Sequence, residues 1–284
     1  MSFPVPGRIA EQLRRSTVQI RGESGRMQGS GSGIVLNNGR ILTNAHVLTG
    51  QQLNIETWDG AMHRSSVAKA DRRRDLALLT VDGLSAPAAS LAAQVPRTGQ
   101  PVIAVGNPLG FVGAVSTGFV HQVGPVRALG GSRWIQSDLR LAPGNSGGPL
   151  ADIHGQIVGV NTMIAGHLAL AVPVDAVQTF LSSNGSPRTL GVTVRPVWVR
   201  TKGNPPRYGL MLLEMNRGGP AERASLLPGD ILVSAFGRNI ESADDLYDAL
   251  SAKEVLSLGF IRGNALPERR VSVQLAPGPV VNAA

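Results

Sequence analysis

Short apolar runs, bounded by glycine, proline, asparagine or aspartate, recur through residues 31–172 of the chain. Runs of this length with turn residues between them are typical of antiparallel strands, and no long helices alternate with them as a parallel sheet would require. The 35 glycines and 19 prolines among 284 residues supply the many turns that this pattern needs. The chain is therefore predicted to be mainly β, with a sandwich or barrel domain. The predicted strands are Ile34–Leu36, Ile41–Leu42, Leu53–Thr57, Leu76–Val81, Val102–Val105, Val115–Val120, Trp134–Gln136, Ile157–Asn161 and Leu168–Val172.

The pattern changes after a polar, breaker-rich stretch at 182–187, which we interpret as a linker. Beyond it, strands alternate with two short helices, one of which begins at Ser242 with Asp245 as a capping-box partner. This is the pattern of a small α+β module. We predict a first domain at residues 1–183, a linker at 184–188 and a second domain at 189–278.

Composition excludes several classes of function. Cysteine is absent, which removes disulfides, a cysteine nucleophile and thiolate metal sites. The histidines and carboxylates show no metal-ligand spacing, and Gly29–Gly33 lacks the ending of a P-loop, so we expect neither a metal nor another cofactor. The formal charge of +8 is spread along the chain, and its one tight run, Arg72–Arg74, is interpreted as a solvated surface. We expect no nucleic-acid partner.

Two further expectations concern location. No window approaches 18 continuous apolar residues, so no membrane span is predicted. The first residues, Met1–Arg8, show no apolar signal-peptide region, which favours the cytoplasm for the chain as given.

The most informative stretch is Gly144–Leu150, in which Ser146 stands between glycines. Such a serine can expose its hydroxyl while neighbouring N–H groups converge as an oxyanion site. The stretch also matches the G-x-S-x-G elbow of α/β-hydrolases, but those place the histidine after the serine. Here His154 and His167 follow too closely, within predicted hairpins, so the base is expected upstream of Ser146.

Upstream, His46 stands at the end of a predicted strand, and Asp75 immediately precedes another. Each alone is typical of an ordinary polar residue. In the order His, Asp, Ser they fit a triad in which a neutral imidazole takes the serine proton and a carboxylate holds its tautomer.

These motifs together resemble the HtrA/Deg family of serine proteases. The resemblance covers about residues 15–277 and includes a second domain similar to a PDZ domain. The motifs that carry it are Gly29–Gly33, Thr43–Val47, Asp75–Leu79, Gly106–Gly110, Gly144–Leu150, Ala171–Pro173, Gly219–Ala221, Ala224–Leu226 and Gly229–Leu232.

The resemblance implies a chymotrypsin-like double antiparallel β-barrel followed by one PDZ domain. It makes His46 the general base, Asp75 its partner and Ser146 the nucleophile, with an oxyanion hole at Gly144, Asn145 and Ser146. It also implies a homotrimer in the periplasm or cell envelope that hydrolyses unfolded or misfolded proteins.

The resemblance also suggests a peptide-binding site on the PDZ domain. Leu190, Gly191 and Val192 would hold a peptide's C-terminal carboxylate through their N–H groups, and the peptide would add as a strand beside Val192. Leu246 and Leu250 would line its pocket, although helical spacing fits a place in the core equally well.

One departure concerns specificity. Asp138 is followed by Leu139-Arg140-Leu141-Ala142, and Arg140 lies six residues before Ser146, where such proteases often line the first specificity pocket. A cation there argues against cleavage after Lys or Arg. The segment Gly22–Gly29 is too short for the long loop that builds larger cages in some relatives, which fits a simple trimer.

The competing hypothesis is a non-catalytic, chaperone-like protein that binds peptides through its PDZ domain on an inert protease fold. The intact set of His46, Asp75 and Ser146 argues against it, since an inert fold has no chemical need for all three.

Overall fold

The computed structural model describes residues 7–24, 27–50, 52–126, 133–182, 188–200, 206–263 and 265–277. Residues 184–187 of the predicted linker at 184–188 lie outside the described residues. Contacts divide the chain into two compact units. One comprises residues 1–124 and 134–181, and the other comprises residues 125–133 and 182–284.

The first unit contains a closed six-stranded antiparallel barrel with strand order β1-β2-β3-β6-β5-β4. A short helix, α1 (Gly7–Arg15), precedes it. The Asn38-Gly39 pair between β2 and β3 has φ of 63° and 65°, the left-handed turn that the sequence predicted. The barrel strands are β1 (Thr17–Ser24), β2 (Met27–Leu36), β3 (Arg40–Thr43), β4 (Gln52–Glu56), β5 (Met62–Asp71) and β6 (Leu76–Thr80).

A second closed six-stranded antiparallel barrel follows, with order β10-β11-β12-β9-β8-β7, and helix α2 (Val174–Ser182) ends the unit. Each barrel encloses its own apolar core, centred on side chains such as Ile55 in the first and Ile135 in the second. The predicted chymotrypsin-like double barrel is confirmed. The strands are β7 (Pro101–Gly106), β8 (Ala114–Pro125), β9 (Arg133–Ser137), β10 (Pro149–Ala151), β11 (Ile157–Ala165) and β12 (Leu168–Pro173).

The second unit is α+β. Its main sheet has the order β14-β15-β16-β18-β19, with β17 beside β16, while β13 pairs with β20. Ser242 caps α4 (Ala243–Ala252) in a reciprocal capping box with Asp245, as its sequence predicts, and α3 spans Pro220–Arg223. The strands are β13 (Arg188–Thr189), β14 (Val192–Val199), β15 (Arg207–Met215), β16 (Ile231–Ala235), β17 (Arg238–Asn239), β18 (Val255–Arg262), β19 (Ala265–Gln274) and β20 (Ala276–Pro277).

In the parts of the chain that the structure describes, every helix is too short or too polar to cross a membrane.

Candidate active site

Strand pairing in the first barrel brings His46 and Asp75 together. His46 lies in a single helical turn directly after β3, and Asp75 directly precedes β6. Because β3 and β6 are neighbours, with Thr43 opposite Ala77, the two side chains meet at one end of the barrel. Asp75 Oδ2 lies 2.7 Å from His46 Nδ1, and Asp75 Oδ1 accepts the His46 backbone N–H at 3.0 Å.

A compact turn presents Asp75. The Asp71 carboxylate accepts the N–H groups of Arg73 and Arg74 and pairs with the Arg74 guanidinium at 2.8 Å. Asp75 follows at φ 55°, a left-handed conformation that a non-glycine residue adopts only at a cost. Arg74 is only 7% exposed, so the interpretation of Arg72–Arg74 as a wholly solvated run is wrong for Arg74.

Ser146 occupies a tight loop between β9 and β10. Gly144 and Gly147 flank it with φ of 104° and 84°. A Cβ at residue 147 would lie 2.1 Å from the Ser32 carbonyl oxygen, so only glycine fits there. The loop thus needs the glycines that the motif contains, and Ser146 remains partly accessible.

Thr162 of β11 joins the three predicted triad residues. Its backbone carbonyl accepts the Ser146 hydroxyl at 2.7 Å, and its own hydroxyl donates to Asp75 Oδ2. Within the described residues, no hydrogen bond joins Ser146 to His46 directly. Sequence reasoning missed Thr162, because a threonine in a strand carries no sign of its neighbours.

The Asp75 carboxylate changes the acidity of His46. Its hydrogen bond to the ring raises the pKa of His46 above the ordinary imidazole value. Partial burial opposes this shift, and the negative charge of Asp75 adds to it. His46 is half exposed, so its Nε2 face remains open to a reacting group.

The predicted oxyanion residues lie together but make different bonds. Asn145 donates its backbone N–H to the Ala142 carbonyl at 3.0 Å, and its side-chain amide donates to the same oxygen. For Gly144 and Ser146, the described residues offer the backbone N–H no hydrogen-bond acceptor. Asn145 therefore holds the loop, and two N–H groups remain for a ligand.

A cavity of about 160 Å³ adjoins Ser146. Its walls are mostly apolar, and no carboxylate lines it among the described residues. Arg140 is exposed and does not contribute to the walls. The lining residues are Leu141, Ala142, Pro143, Asn145, Ser146, Thr162, Met163 and Ile164.

The predicted peptide-binding residues all lie in the second unit. Leu190 is buried, and Gly191 has φ 71° and donates its N–H to Thr189 Oγ1 at 2.9 Å. Val192 begins β14, which pairs only with β15 among the described strands and so has a free edge. Leu246 and Leu250 are 4% and 8% exposed and belong to the core, against which Val192 packs.

Among the described residues, no three His, Asp or Glu side chains group as a metal site would require.

Residues 31–160 match the family model described as "Trypsin-like peptidase domain". The chain is 31% identical to the putative serine protease HhoB of Synechocystis sp., over 89% of this chain and 67% of that protein. It is also 31% identical to the putative serine protease HhoA of the same organism, over 99% of this chain and 75% of that protein.

The fold has close structural counterparts. A solved structure of the HtrA-type protease AlgW with a tripeptide superposes with a TM-score of 0.78, covering 97% of this chain and 99% of that one at 24% identity.

The double barrel and the family match over residues 31–160 define a trypsin-like serine peptidase, and the hydrogen-bonded His46–Asp75 pair and the serine loop fit that class. Further relatives include a probable periplasmic serine endoprotease DegP-like of Pseudomonas fluorescens (31% identical over 97% of this chain and 62% of that protein) and the serine protease HTRA1 of Xenopus laevis (29% identical over 83% and 58%). Within the trypsin-like class, the chain belongs to the HtrA family and is a serine-type endopeptidase.

Proposed function

We propose that Ser146 attacks the peptide carbonyl and that neutral His46 takes its proton. The observation that carries this proposal is a chain of hydrogen bonds that runs from Ser146 through Thr162 to Asp75. Asp75 Oδ2 in turn lies 2.7 Å from His46 Nδ1. Because Asp75 accepts the Nδ1 proton, the Nε2 lone pair is free to act as a base. The Ser146 hydroxyl leaves the Thr162 carbonyl and donates to His46 when substrate binds.

The oxyanion of the tetrahedral intermediate would be held by the N–H groups of Gly144 and Ser146. Both groups lack a protein acceptor in the described structure and lie on either side of the fixed Asn145. Donors fixed before the reaction stabilise the developing charge without the cost of reorienting, and one such donor contributes roughly 10²–10³ in rate.

The substrates are proposed to be unfolded or misfolded polypeptides. The cavity beside Ser146 is small and apolar, which suits an aliphatic side chain at the residue preceding the cleaved bond. Folded proteins bury most of their aliphatic side chains, so an unfolded chain presents such sites far more often. The absence of a carboxylate from the described walls gives no partner for Lys or Arg.

The second unit is proposed to be a PDZ domain that binds peptide C-termini and regulates the protease. The free edge of β14 suits strand addition, and Gly191 has the left-handed backbone of a tight loop at its start. Leu246 and Leu250 would form the floor of the pocket from within the core.

Removing the charge of a peptide's C-terminus by amidation should weaken its binding about 10-fold or more, since a hydrogen bond to a charged group contributes roughly 1.5–3 kcal/mol. Titration calorimetry on the full chain, with free-acid and amidated forms of one apolar-ended peptide, tests this assignment. Equal affinities would contradict it.

The proposed domain bounds (1–183, 184–188 and 189–278) and the proposed homotrimer have separate tests. Limited proteolysis should first cut within 184–188. Light scattering after gel filtration should give a mass three times that of one chain.

The proposed chemistry is tested by digesting casein with the wild-type chain and with Ser146→Ala. Turnover should fall by roughly 10⁶-fold, because triad members act as a unit. A fluorophosphonate probe should label the wild type alone. Undiminished digestion by Ser146→Ala would refute the assignment of the nucleophile, and an unlabelled, inactive wild type would favour the non-catalytic alternative.

A further inference from the structure

Two fully buried polar side chains lie behind the serine loop and take no part in the triad. Ser32 of β2 is 0% exposed, and Asn107, which directly follows β7, is 1% exposed. The Ser32 hydroxyl donates to the Gly144 carbonyl at 2.7 Å and accepts the Asn107 backbone N–H at 2.9 Å. The Asn107 side chain in turn accepts the Gly113 N–H at 2.8 Å.

Ser32 is tied to the loop on both sides of Asn145. Besides the bond from its hydroxyl to Gly144, its backbone N–H donates to the Ser146 carbonyl at 2.7 Å. Ser32 belongs to the first barrel, Asn107 to the second, and the loop lies between β9 and β10. One hydroxyl therefore connects both barrels to the segment that carries Ser146.

These bonds immobilise the peptide unit between Gly144 and Asn145. Ser32 holds its carbonyl, and the Ala142 carbonyl holds its N–H. The Asn107 carbonyl closes the space beside Gly144, where a Cβ would lie only 2.5 Å from that oxygen. The Gly144 N–H belongs to the preceding peptide unit, so once this unit is fixed, only the φ and ψ angles of Gly144 set the direction of that N–H.

We propose that Ser32 and Asn107 are positioning residues that aim the Gly144 N–H into the oxyanion hole. This inference rests on the proposed function of Gly144 and Ser146. Loss of the Ser32 hydroxyl leaves the Gly144 carbonyl and the Asn107 N–H buried without this partner. The peptide unit then turns to find another partner, which changes the ψ angle of Gly144 and so redirects the N–H on the other side of the Gly144 Cα.

The test compares Ser32→Ala with Ser16→Ala. Ser16 is also buried, at 3% exposure, but its hydroxyl donates to the carbonyls of Gln12 and Leu13 at the end of α1. Both variants lose one buried hydroxyl, so a general packing defect affects both. We expect Ser32→Ala to lower kcat on a peptide substrate about 10- to 100-fold and to change KM less than 3-fold. Ser16→Ala should keep the wild-type kcat.

Two further measurements separate positioning from a structural defect. A peptide aldehyde forms a hemiacetal with Ser146 whose oxygen occupies the hole, so its affinity should fall by the same factor as kcat in Ser32→Ala. The acid limb of the pH profile should stay in place, because the His46–Asp75 pair is untouched. A wild-type aldehyde affinity in Ser32→Ala, or an equal loss of kcat in Ser16→Ala, would overturn the proposal.

If Ser32→Ala does not fold, as judged by thermal unfolding, Ser32→Cys decides the question. A thiol fills the site but is a weak donor and acceptor. Its kcat and aldehyde affinity should fall together by at least about 3-fold, and unchanged values would overturn the proposal. Ser146→Ala keeps the two hypotheses distinguishable: if it digests casein normally, the proposed nucleophile is wrong, whereas its inactivity beside a normal Ser32→Ala refutes only the positioning role.

Discussion

Replacement of Asp75 by asparagine tests the proposed triad at the contact between the Asp75 carboxylate and His46. Asp75 Oδ1 accepts the His46 backbone N–H, which can only donate. The asparagine oxygen must therefore take that place, and its NH₂ group must point to His46 Nδ1 and to the Thr162 hydroxyl. The hydroxyl can rotate to accept. The ring can accept only by moving its proton to Nε2, where it can no longer receive the proton of Ser146.

The rate loss follows from the cost of restoring the active tautomer. An Nδ1–H facing the amide NH₂ loses a hydrogen bond to a charged group, which contributes about 1.5–3 kcal/mol. It also leaves an amide N–H of the new asparagine, at a position where the Asp75 side chain is only 14% exposed, without an acceptor, at about 1–3 kcal/mol. Together they amount to roughly 3–6 kcal/mol, so kcat should fall about 10²–10⁴-fold near neutral pH.

The pH profile gives a second readout. His46 must be neutral to act as a base, so the rate rises as pH increases through its pKa. The bond to Asp75 is the largest cause of the raised His46 pKa, so Asp75→Asn should move the acid limb of kcat/KM to lower pH. Asp152→Asn is the matched control, because among the described residues its carboxylate accepts only the turn N–H groups of His154 and Gln156. An Asp75→Asn enzyme within 10-fold of wild type, or an unmoved acid limb, would refute this reasoning.

Three further predictions concern the free energy of unfolding. Gly147→Ala should cost more than 2 kcal/mol in urea unfolding, because its φ of 84° is left-handed and its Cβ would overlap a backbone carbonyl of β2. A cost below 1 kcal/mol would contradict this. Arg74→Leu should cost about 3 kcal/mol, since it leaves the buried Asp71 carboxylate without its cation; an unchanged thermal midpoint would count against it. Ser242→Ala should lower the stability of the second unit by about 1 kcal/mol through the lost helix cap, whereas an unchanged urea midpoint would argue against the capping box.

Local signals were sufficient for much of the fold. The Asn38-Gly39 turn and the Ser242–Asp245 capping box depend on residues adjacent in sequence, and both formed as predicted. Strand β5 (Met62–Asp71) was not predicted, because its residues are mostly polar and follow no alternating apolar pattern. It is held by pairing with β4 and β6, and such pairing cannot be seen in a single segment.

The site was only partly predictable for a related reason. The order of His46, Asp75 and Ser146 suggested a triad, and strand pairing accounts for the contact between the first two. Ser32 lies 112 residues from its partner Gly144, and only the three-dimensional fold reveals that bond. Arg74 looked like one of three surface cations, and the nearby Asp71 gave no sign that the pair would be buried.

In the proposed mechanism, the position of Thr162 couples catalysis to substrate selection. The pairing of β11 with β12 shifts register between Asn161 and Met163, so Thr162 stands at a β-bulge. Bulges redirect a side chain out of the regular alternation. Here Thr162 reaches Asp75 with its hydroxyl and Ser146 with its carbonyl, while the next two residues, Met163 and Ile164, line the cavity. A change that removes the bulge would therefore alter both the Thr162 contacts to Ser146 and Asp75 and the wall of the cavity. We expect kcat and the preference for the substrate side chain that precedes the cleaved bond to shift in the same variant.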